Sequence, residues 1–258
     1  MPLRLSVQSL SSRLSVGLIS TLLLIPVAQA LPPNYTSLTP VIMASESGNE
    51  EGDWGEEHRG KQTSTGSRND CPDVAADLTA LIPTTKWGKT VSQSPTFWFY
   101  VPYTSEQIAF GKFILQNQQG FNQIEPIKFT VHQTPGFVSF TLPETTPPLE
   151  LWTDYYWAFE LYCSPTTRSP IYVAGWIQSV LPNGDINEQL YAETPQIYQV
   201  YWEKMIWFDA VNELIQQRLK QPNDRTLEAE WLRLLQDAGL DTEQLPTEPI
   251  LGTVIMED

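Results

Sequence analysis

Basic residues, histidines and long apolar runs are all scarce in this sequence, and each shortage removes a class of function. Lys and Arg number 15 against 30 Asp and Glu, for a net charge of −15. Binding to a phosphate backbone draws its affinity from clustered Lys and Arg, and no long segment of the chain has a basic excess, so nucleic acid is excluded as an expected partner. Histidine occurs twice, at His58 and His132, and cysteine twice, at Cys71 and Cys163. Neither histidine is spaced for metal binding with a cysteine, and no Gly-x-Ser-x-Gly elbow accompanies them. No glycine-rich loop that would cradle a phosphate is present. The sequence therefore predicts no metal, no cofactor and no enzyme built on a nucleophilic triad.

Apolar runs are short everywhere. The longest lies at the N-terminus, where Arg4 and Arg13 precede an uncharged stretch from Leu14 to Val27, followed by Ala28-Gln29-Ala30. A positive start, a short apolar stretch and a small-x-small site predict a secretory signal peptide over residues 1–30, with the mature chain starting at Leu31. The stretch is shorter than the roughly 20 apolar residues that a membrane crossing requires, and no later segment meets that length. The expectation is an exported protein, periplasmic or extracellular, with no transmembrane segment after processing. Loss of two arginines leaves 13 bases against 30 acids, a net charge of −17.

Export gives the two cysteines a meaning. An oxidising compartment makes an even pair a disulfide candidate, and Cys71 and Cys163 would close a loop of 92 residues. The competing reading, a metal site, lacks further ligands of suitable spacing.

Composition divides the mature chain into three. Residues 31–70 hold little apolar surface besides Trp54 and are rich in Ser, Gly, Glu and Asn, which predicts a disordered acidic leader. Residues 71–182 change to a period of two. Thr96–Val101, Phe110–Leu115, Ile127–Val131, Phe137–Leu142, Tyr155–Cys163 and Ile171–Val180 are rich in aromatic and β-branched residues and are separated by Pro, Gly, Asn and Thr. Short strands at this spacing predict an antiparallel β-sandwich. Val138, Phe140 and Leu142 share one face, as do Ile127, Phe129 and Val131. In Tyr155–Cys163 the residues Tyr155, Trp157, Phe159, Leu161 and Cys163 face the core, which places Cys163 beside a tryptophan. Leu149 followed six residues later by Tyr155 resembles the tyrosine corner of immunoglobulin and fibronectin type III sandwiches, where the hydroxyl bonds back to the preceding turn.

Residues 183–258 carry 15 acids against 5 bases and switch to helical spacing. Ile197, Val200 and Tyr201, then Phe208, Val211, Leu214, Ile215 and Leu219, recur at three and four residues, and Pro222 closes the run. Thr226 is placed to cap a further helix with Leu227, Trp231, Leu234 and Leu235 on one face and Gly239 as terminator. The tract Trp207 to Val211 is similar to the second helix of a tetratricopeptide repeat. A single copy cannot build a solenoid, so the expectation is an acidic helical appendage docked on the sandwich.

Several motifs together carry a family resemblance: Asp70-Cys71-Pro72, Leu78-Thr79-Ala80-Leu81-Ile82-Pro83, Ser94 through Pro102, the Leu149…Tyr155…Trp157…Cys163 strand, Gly175-Trp176-Ile177, and Ile206-Trp207-Phe208-Asp209-Ala210 with Trp231 and Leu234-Leu235. The chain resembles domain of unknown function 928, a family of exported cyanobacterial proteins, over most of residues 70–240. The family's helical motif reads Trp-Tyr-Asp-Ala, and here Phe208 stands at the tyrosine. The resemblance implies a compartment and transfers no catalytic residue.

What remains is aromatic density. Trp98 and Tyr100 alternate with Phe97 and Phe99, and Tyr172 and Trp176 alternate with Ile171, Val173 and Ile177, so two strands are apolar on both faces. Trp98, Tyr100, Tyr172 and Trp176 are the candidate ligand or partner surface, unless the helices cover them. The sequence thus predicts an exported, non-enzymatic envelope or extracellular interaction protein, with an unknown protein or glycan as partner. The alternatives are a carbohydrate-binding module using exposed Trp and Tyr, and a hydrolase with paired carboxylates drawn from Glu106, Glu125, Glu144, Glu150 and Asp154.

Overall fold

In the computed structural model the described residues are 58–64, 71–166, 168–182, 184, 196–240, 242, 243 and 245–257. The expected signal peptide, residues 31–57 and 65–70 of the leader, and most of 183–195 lie outside them. Among the described residues ten strands form two sheets: β1 (Thr79–Ala80), β2 (Trp87–Thr90), β3 (Thr96–Val101), β4 (Phe110–Gln116), β5 (Ile127–Thr130), β6 (Gly136–Thr141), β7 (Asp154–Tyr162), β8 (Ile171–Ser179), β9 (Ile250–Thr253) and β10 (Ile255–Met256). One sheet runs β1-β3-β6-β9 and the other β10-β5-β4-β7-β8-β2. The six strands expected from period-two patterning are all present to within a residue or so at each end.

The pairing of β3 with β6, and of β4 with β7 and β7 with β8, is the arrangement of an immunoglobulin-like sandwich. Its first strand is split between the sheets, β1 pairing with β3 and β2 running parallel to β8. The tyrosine corner is present, with the Tyr155 hydroxyl accepting the Glu150 backbone N–H at 3.1 Å. Between the sheets, Phe99 stacks on Phe159 at 3.9 Å and Phe113 on Phe140 at 4.1 Å. Gly175 lies opposite Trp157, and a Cβ there would come within 2.8 Å of the indole. Glycine at that position makes room for the Trp157 indole.

Among the described residues three α-helices of a turn or more follow: α1 (Ile197–Glu203), α2 (Trp207–Lys220) and α3 (Arg225–Asp237). Phe208, Val211, Leu214 and Ile215 are buried as their spacing predicts, as are Leu227, Trp231, Leu234 and Leu235. Three details differ from expectation. The α1 face centres on Tyr198 rather than on Ile197, Val200 and Tyr201, and Leu219 is exposed. The cap of α3 is Asp224, which accepts from Thr226 and Leu227 N–H; its carboxylate reaches both donors, and Thr226 already lies inside the helix. Gly239, at φ +65°, does end α3, with the Leu240 N–H bonding back to the Leu235 carbonyl.

The helices dock on the outer face of the four-stranded sheet. Trp98 Nε1 donates to Asn212 Oδ1 at 3.1 Å, Trp207 Nε1 donates to the Leu81 carbonyl at 2.8 Å, and Phe137 meets Trp231 edge-on at 5.2 Å. Phe208 reaches further, into contact with Phe97 at 5.0 Å and Trp157 at 6.5 Å. Phe208 is thus an apolar plug between the helical layer and the core.

Two segments cross the expected domain boundaries. Residues 58–64, assigned to the leader on composition, are held in the fold: Lys61 bridges Ala174 of one sheet, Thr63 bridges Thr79 of the other, and the Gln62 amide donates to the Ile82 and Ala238 carbonyls. At the other end, β9 and β10 return from beyond the helices to pair with β6 and β5. The sandwich is therefore not confined to 71–182. Both segments are too short to show a period, and their order comes from unpaired edges that accept them.

Cys71 and Cys163 are joined in a disulfide. Cys163 follows the end of β7 and is half-buried at the margin of the core, six residues from Trp157, rather than beside it in the interior. The bond ties the chain ahead of β1 to the end of β7. Among the described residues no helix is long and apolar enough to cross a membrane.

Candidate functional site

Of the four aromatics singled out from sequence, the structure covers two. Trp98 is 3% and Tyr100 5% exposed beneath the helices and the C-terminal segment, so neither is available to a ligand on the folded protein. This corrects their place in the candidate surface. The reason is mutual cover: the apolar stripes of α2 and α3 and the outer face of β3 and β6 satisfy one another. Burial, then the nearby Glu248 carboxylate, pushes the Tyr100 pKa up to about 12.

Tyr172 and Trp176 lie on the opposite side, on the outer face of the six-stranded sheet. Strand alternation and register build that face row by row. One row runs Lys128, Lys112, Glu160, Tyr172 across β5, β4, β7 and β8. The next is Ile114, Ala158, Ala174, extended by Lys61 at the edge. A third is Gln116, Tyr156, Trp176, Trp87. Small side chains in the middle row leave a trough between two rows of large ones. It encloses about 420 Å³ and is lined by Ile114, Gln116, Tyr156, Ala158, Glu160, Pro170 and Tyr172. That volume falls within the range of small-molecule sites, about 300–1,000 Å³.

The trough walls are held from behind. Tyr156 packs edge-on against Trp176 at 5.5 Å, and the Trp176 indole donates to the Arg59 carbonyl at 2.6 Å. His58 stacks on Trp87 at 5.8 Å, so the nominal leader props the third row. Burial, with Tyr172 and Glu160 adding to it, pushes the Tyr156 pKa up to about 12, so its hydroxyl keeps its proton and is a hydrogen-bond donor at neutral pH. Glu160 accepts from the Tyr162 hydroxyl at 2.7 Å, and Gln116 donates to Asn122 at 3.0 Å. Tyr172, 37% exposed, offers its ring to solvent, and Lys61 Nζ lies 4.9 Å from the ring centroid.

Sequence reasoning missed Tyr156, Glu160, Gln116 and Ile114 as parts of one site. Tyr156 and Glu160 were legible as outward-facing, but their meeting with Gln116 depends on β4 pairing with β7, which periodicity does not specify.

The carboxylates considered for hydrolysis are dispersed. Asp154 accepts from Trp87 Nε1 at 2.9 Å and Gln178 at 3.0 Å, a strand-bracing role. Glu106 lies in a single turn of 3-10 helix at Ser105–Gln107, and Glu150 supplies the backbone donor of the tyrosine corner. His132 is exposed and its Nε2 lies 3.3 Å from the Thr130 hydroxyl. Among the described residues no group of three or more His, Cys, Asp or Glu side chains could hold a metal ion.

Fold and face together define an immunoglobulin-like sandwich with an aromatic trough on one sheet and a helical layer on the other. The chain belongs to the Domain of Unknown Function (DUF928) family, whose sequence profile matches residues 63–250. The match begins at Thr63 and ends at Ile250, so it reaches only the inner end of each of the two segments that composition had set outside the sandwich. No match is found among curated proteins.

Proposed function

We propose that this is an exported, non-enzymatic binding protein that takes a carbohydrate on the outer face of its six-stranded sheet. The observation that carries the reading is the trough walled by Tyr156 and Tyr172 over a floor of Ile114 and Ala158. Sugar rings present apolar C–H faces edged with hydroxyls, and flat aromatic rings beside amide and carboxylate groups match both. Gln116 and Glu160 supply a donor and an acceptor within the same trough. Export is supported by the N-terminal sequence and by the disulfide, since such bonds persist in oxidising compartments.

Affinity electrophoresis through gels containing soluble polysaccharides tests the reading. At least one polysaccharide should retard the protein, and Tyr172→Ala should weaken that retention tenfold or more, the usual effect of truncating an aromatic anchor. Leu219→Ala, on the exposed side of α2, should bind like the parent. Unretarded migration through neutral and acidic polysaccharides alike would count against the reading.

A further inference from the structure

Large apolar side chains are left in solvent at one end of the six-stranded sheet, the end opposite the disulfide. There β4 finishes, β7 begins and β8 finishes, and the adjoining loops carry Phe121, Leu151 with Trp152, and Leu181, each between 44% and 69% exposed. The strands concerned are neighbours in the order β5-β4-β7-β8, so the loops spread over about 15 Å. Exposed apolar residues scattered singly are ordinary, whereas four gathered on adjoining loops mark a contact surface.

The loops hold these side chains outward. Asn117 Oδ1 accepts the N–H groups of Gln119 and Phe121, both at 3.0 Å, and the Asn117 N–H donates to the Phe121 carbonyl, closing a tight hairpin. The Gln118 amide lies 3.5 Å from Asp154 Oδ2, beside the start of β7. Trp152 has φ +61°, a left-handed conformation that is costly for a bulky residue. Its N–H donates to the Ser179 carbonyl at 2.8 Å, which fastens the loop before β7 to the end of β8, two residues ahead of Leu181.

The loops themselves are uncharged. No Asp, Glu, Lys or Arg stands between Lys112 and Glu125, between Glu150 and Asp154, or between Arg168 and Asp185. Asn117, Gln118, Gln119, Asn122 and Gln123 flank Phe121 instead, and Asp154 is turned to Trp87 and Gln178. Entry of these tips into a layer of low polarity would strip no loop ion of its water, and Trp is favoured at the boundary between headgroups and hydrocarbon. The charges at the margins, Glu125 and Glu150, are acidic and disfavour an anionic surface. Two aromatics and two leucines exposed to this degree present roughly 400 Å², about half of what each partner of a stable protein complex contributes. Separate protruding tips also need matching pockets on a folded partner and need none in a fluid interface.

We infer that Phe121, Leu151, Trp152 and Leu181 dock this end of the sandwich on a lipid bilayer with zwitterionic headgroups, entering the interfacial layer without crossing it. The inference is independent of the carbohydrate reading, whose trough lies on the sheet face and reaches no further than Gln116 on β4.

Flotation of the full chain, purified after export, with phosphatidylcholine vesicles is the test. The protein should rise with the vesicles equally at low and high salt, and no more strongly when phosphatidylglycerol is added. Phe121→Ala and Trp152→Ala should each lower partitioning about fivefold or more, and the double variant should remain unbound. Leu219→Ala and Tyr172→Ala should float like the parent. Brominated lipid should quench tryptophan emission in the parent, and Trp152→Phe should keep most of the binding while losing most of that quenching. Melting temperatures should match the parent throughout, since the altered side chains lie in solvent. Absence of flotation, unchanged flotation of both alanine variants, or binding that requires phosphatidylglycerol and vanishes in salt overturns the inference. So does either of two other occupants: a dimer in sedimentation velocity, or retention by a soluble polysaccharide, that Trp152→Ala abolishes while vesicles bind neither protein. Flotation without retention by any polysaccharide would sink the carbohydrate reading alone.

Discussion

The Asp209 carboxylate, in the first turn of α2, accepts the backbone N–H of Val91 at 3.2 Å, just beyond the end of β2. This bond fastens the helical layer to the edge strand of the six-stranded sheet. Burial raises the Asp209 pKa to about 6, against hydrogen bonds from Thr90, Val91 and Ser92 that pull it down. Beside it, Trp207 and Phe208 close over Gly88, where a Cβ would lie 3.0 Å from both side chains. One turn of helix thus combines an apolar plug with a half-buried acid.

That acid sets a pH dependence. With a folded pKa above the unfolded value, the native state binds the extra proton, so its stabilising contribution is complete below about pH 4 and is lost as pH rises through about 6. A rise of about two units corresponds to as much as about 3 kcal/mol. Denaturant melts of Asp209→Asn against the parent should show the difference moving in favour of the variant between pH 4 and pH 7. A pH-independent difference would place the carboxyl in water.

The disulfide predicts a large loss on removal. Opening a loop of 92 residues costs about 3–5 kcal/mol in the chain-entropy treatment. Cys71→Ser/Cys163→Ser should melt well below the parent by calorimetry, and reduction of the parent should reproduce the shift. A change of a degree or two would mean that the segment before β1 adds little to the native state.

The tyrosine corner is a smaller and cleaner test. Tyr155→Phe keeps the ring in its buried place and removes the acceptor for the Glu150 N–H. The expected cost is about 1 kcal/mol, with more if that N–H is left without a partner. Urea denaturation should show a lower midpoint with an unchanged slope.

Residues 58–64 should matter although they read as leader. A chain beginning at residue 70 loses the bridges to Ala174 and Thr79, the acceptor of the Trp176 indole and the stack on Trp87. It should melt several degrees below one beginning at residue 58. If carbohydrate binding occurs on the proposed face, it should weaken in the shorter chain as Trp176 and Tyr156 lose support. Identical melting curves would show that the segment is a passenger.

The six central strands, the helical stripes and the disulfide partners were legible because each is a local or compositional signal. Period-two runs such as Phe137–Leu142 state which side chains face a core, and the α3 stripe from Leu227 to Leu235 does so at period 3.6. Two cysteines in the whole sequence leave one intramolecular pairing. Alternation cannot say what lies on the far side of a strand. Trp98 and Trp176 read alike in sequence, yet the first is buried by helices whose Asn212 accepts its indole N–H and whose Trp231 meets the neighbouring Phe137 edge-on, while the second faces outward beside Tyr156. Only the docking of α2 and α3 on one sheet distinguished them. The same holds for the short segments at 58–64 and 250–256, whose order is supplied by sheet edges brought to them from distant sequence. The trough is the clearest case. Its lining comes from β4, β7 and β8, and their register was fixed by packing of the whole sandwich, a property of long-range contacts that no single strand contains.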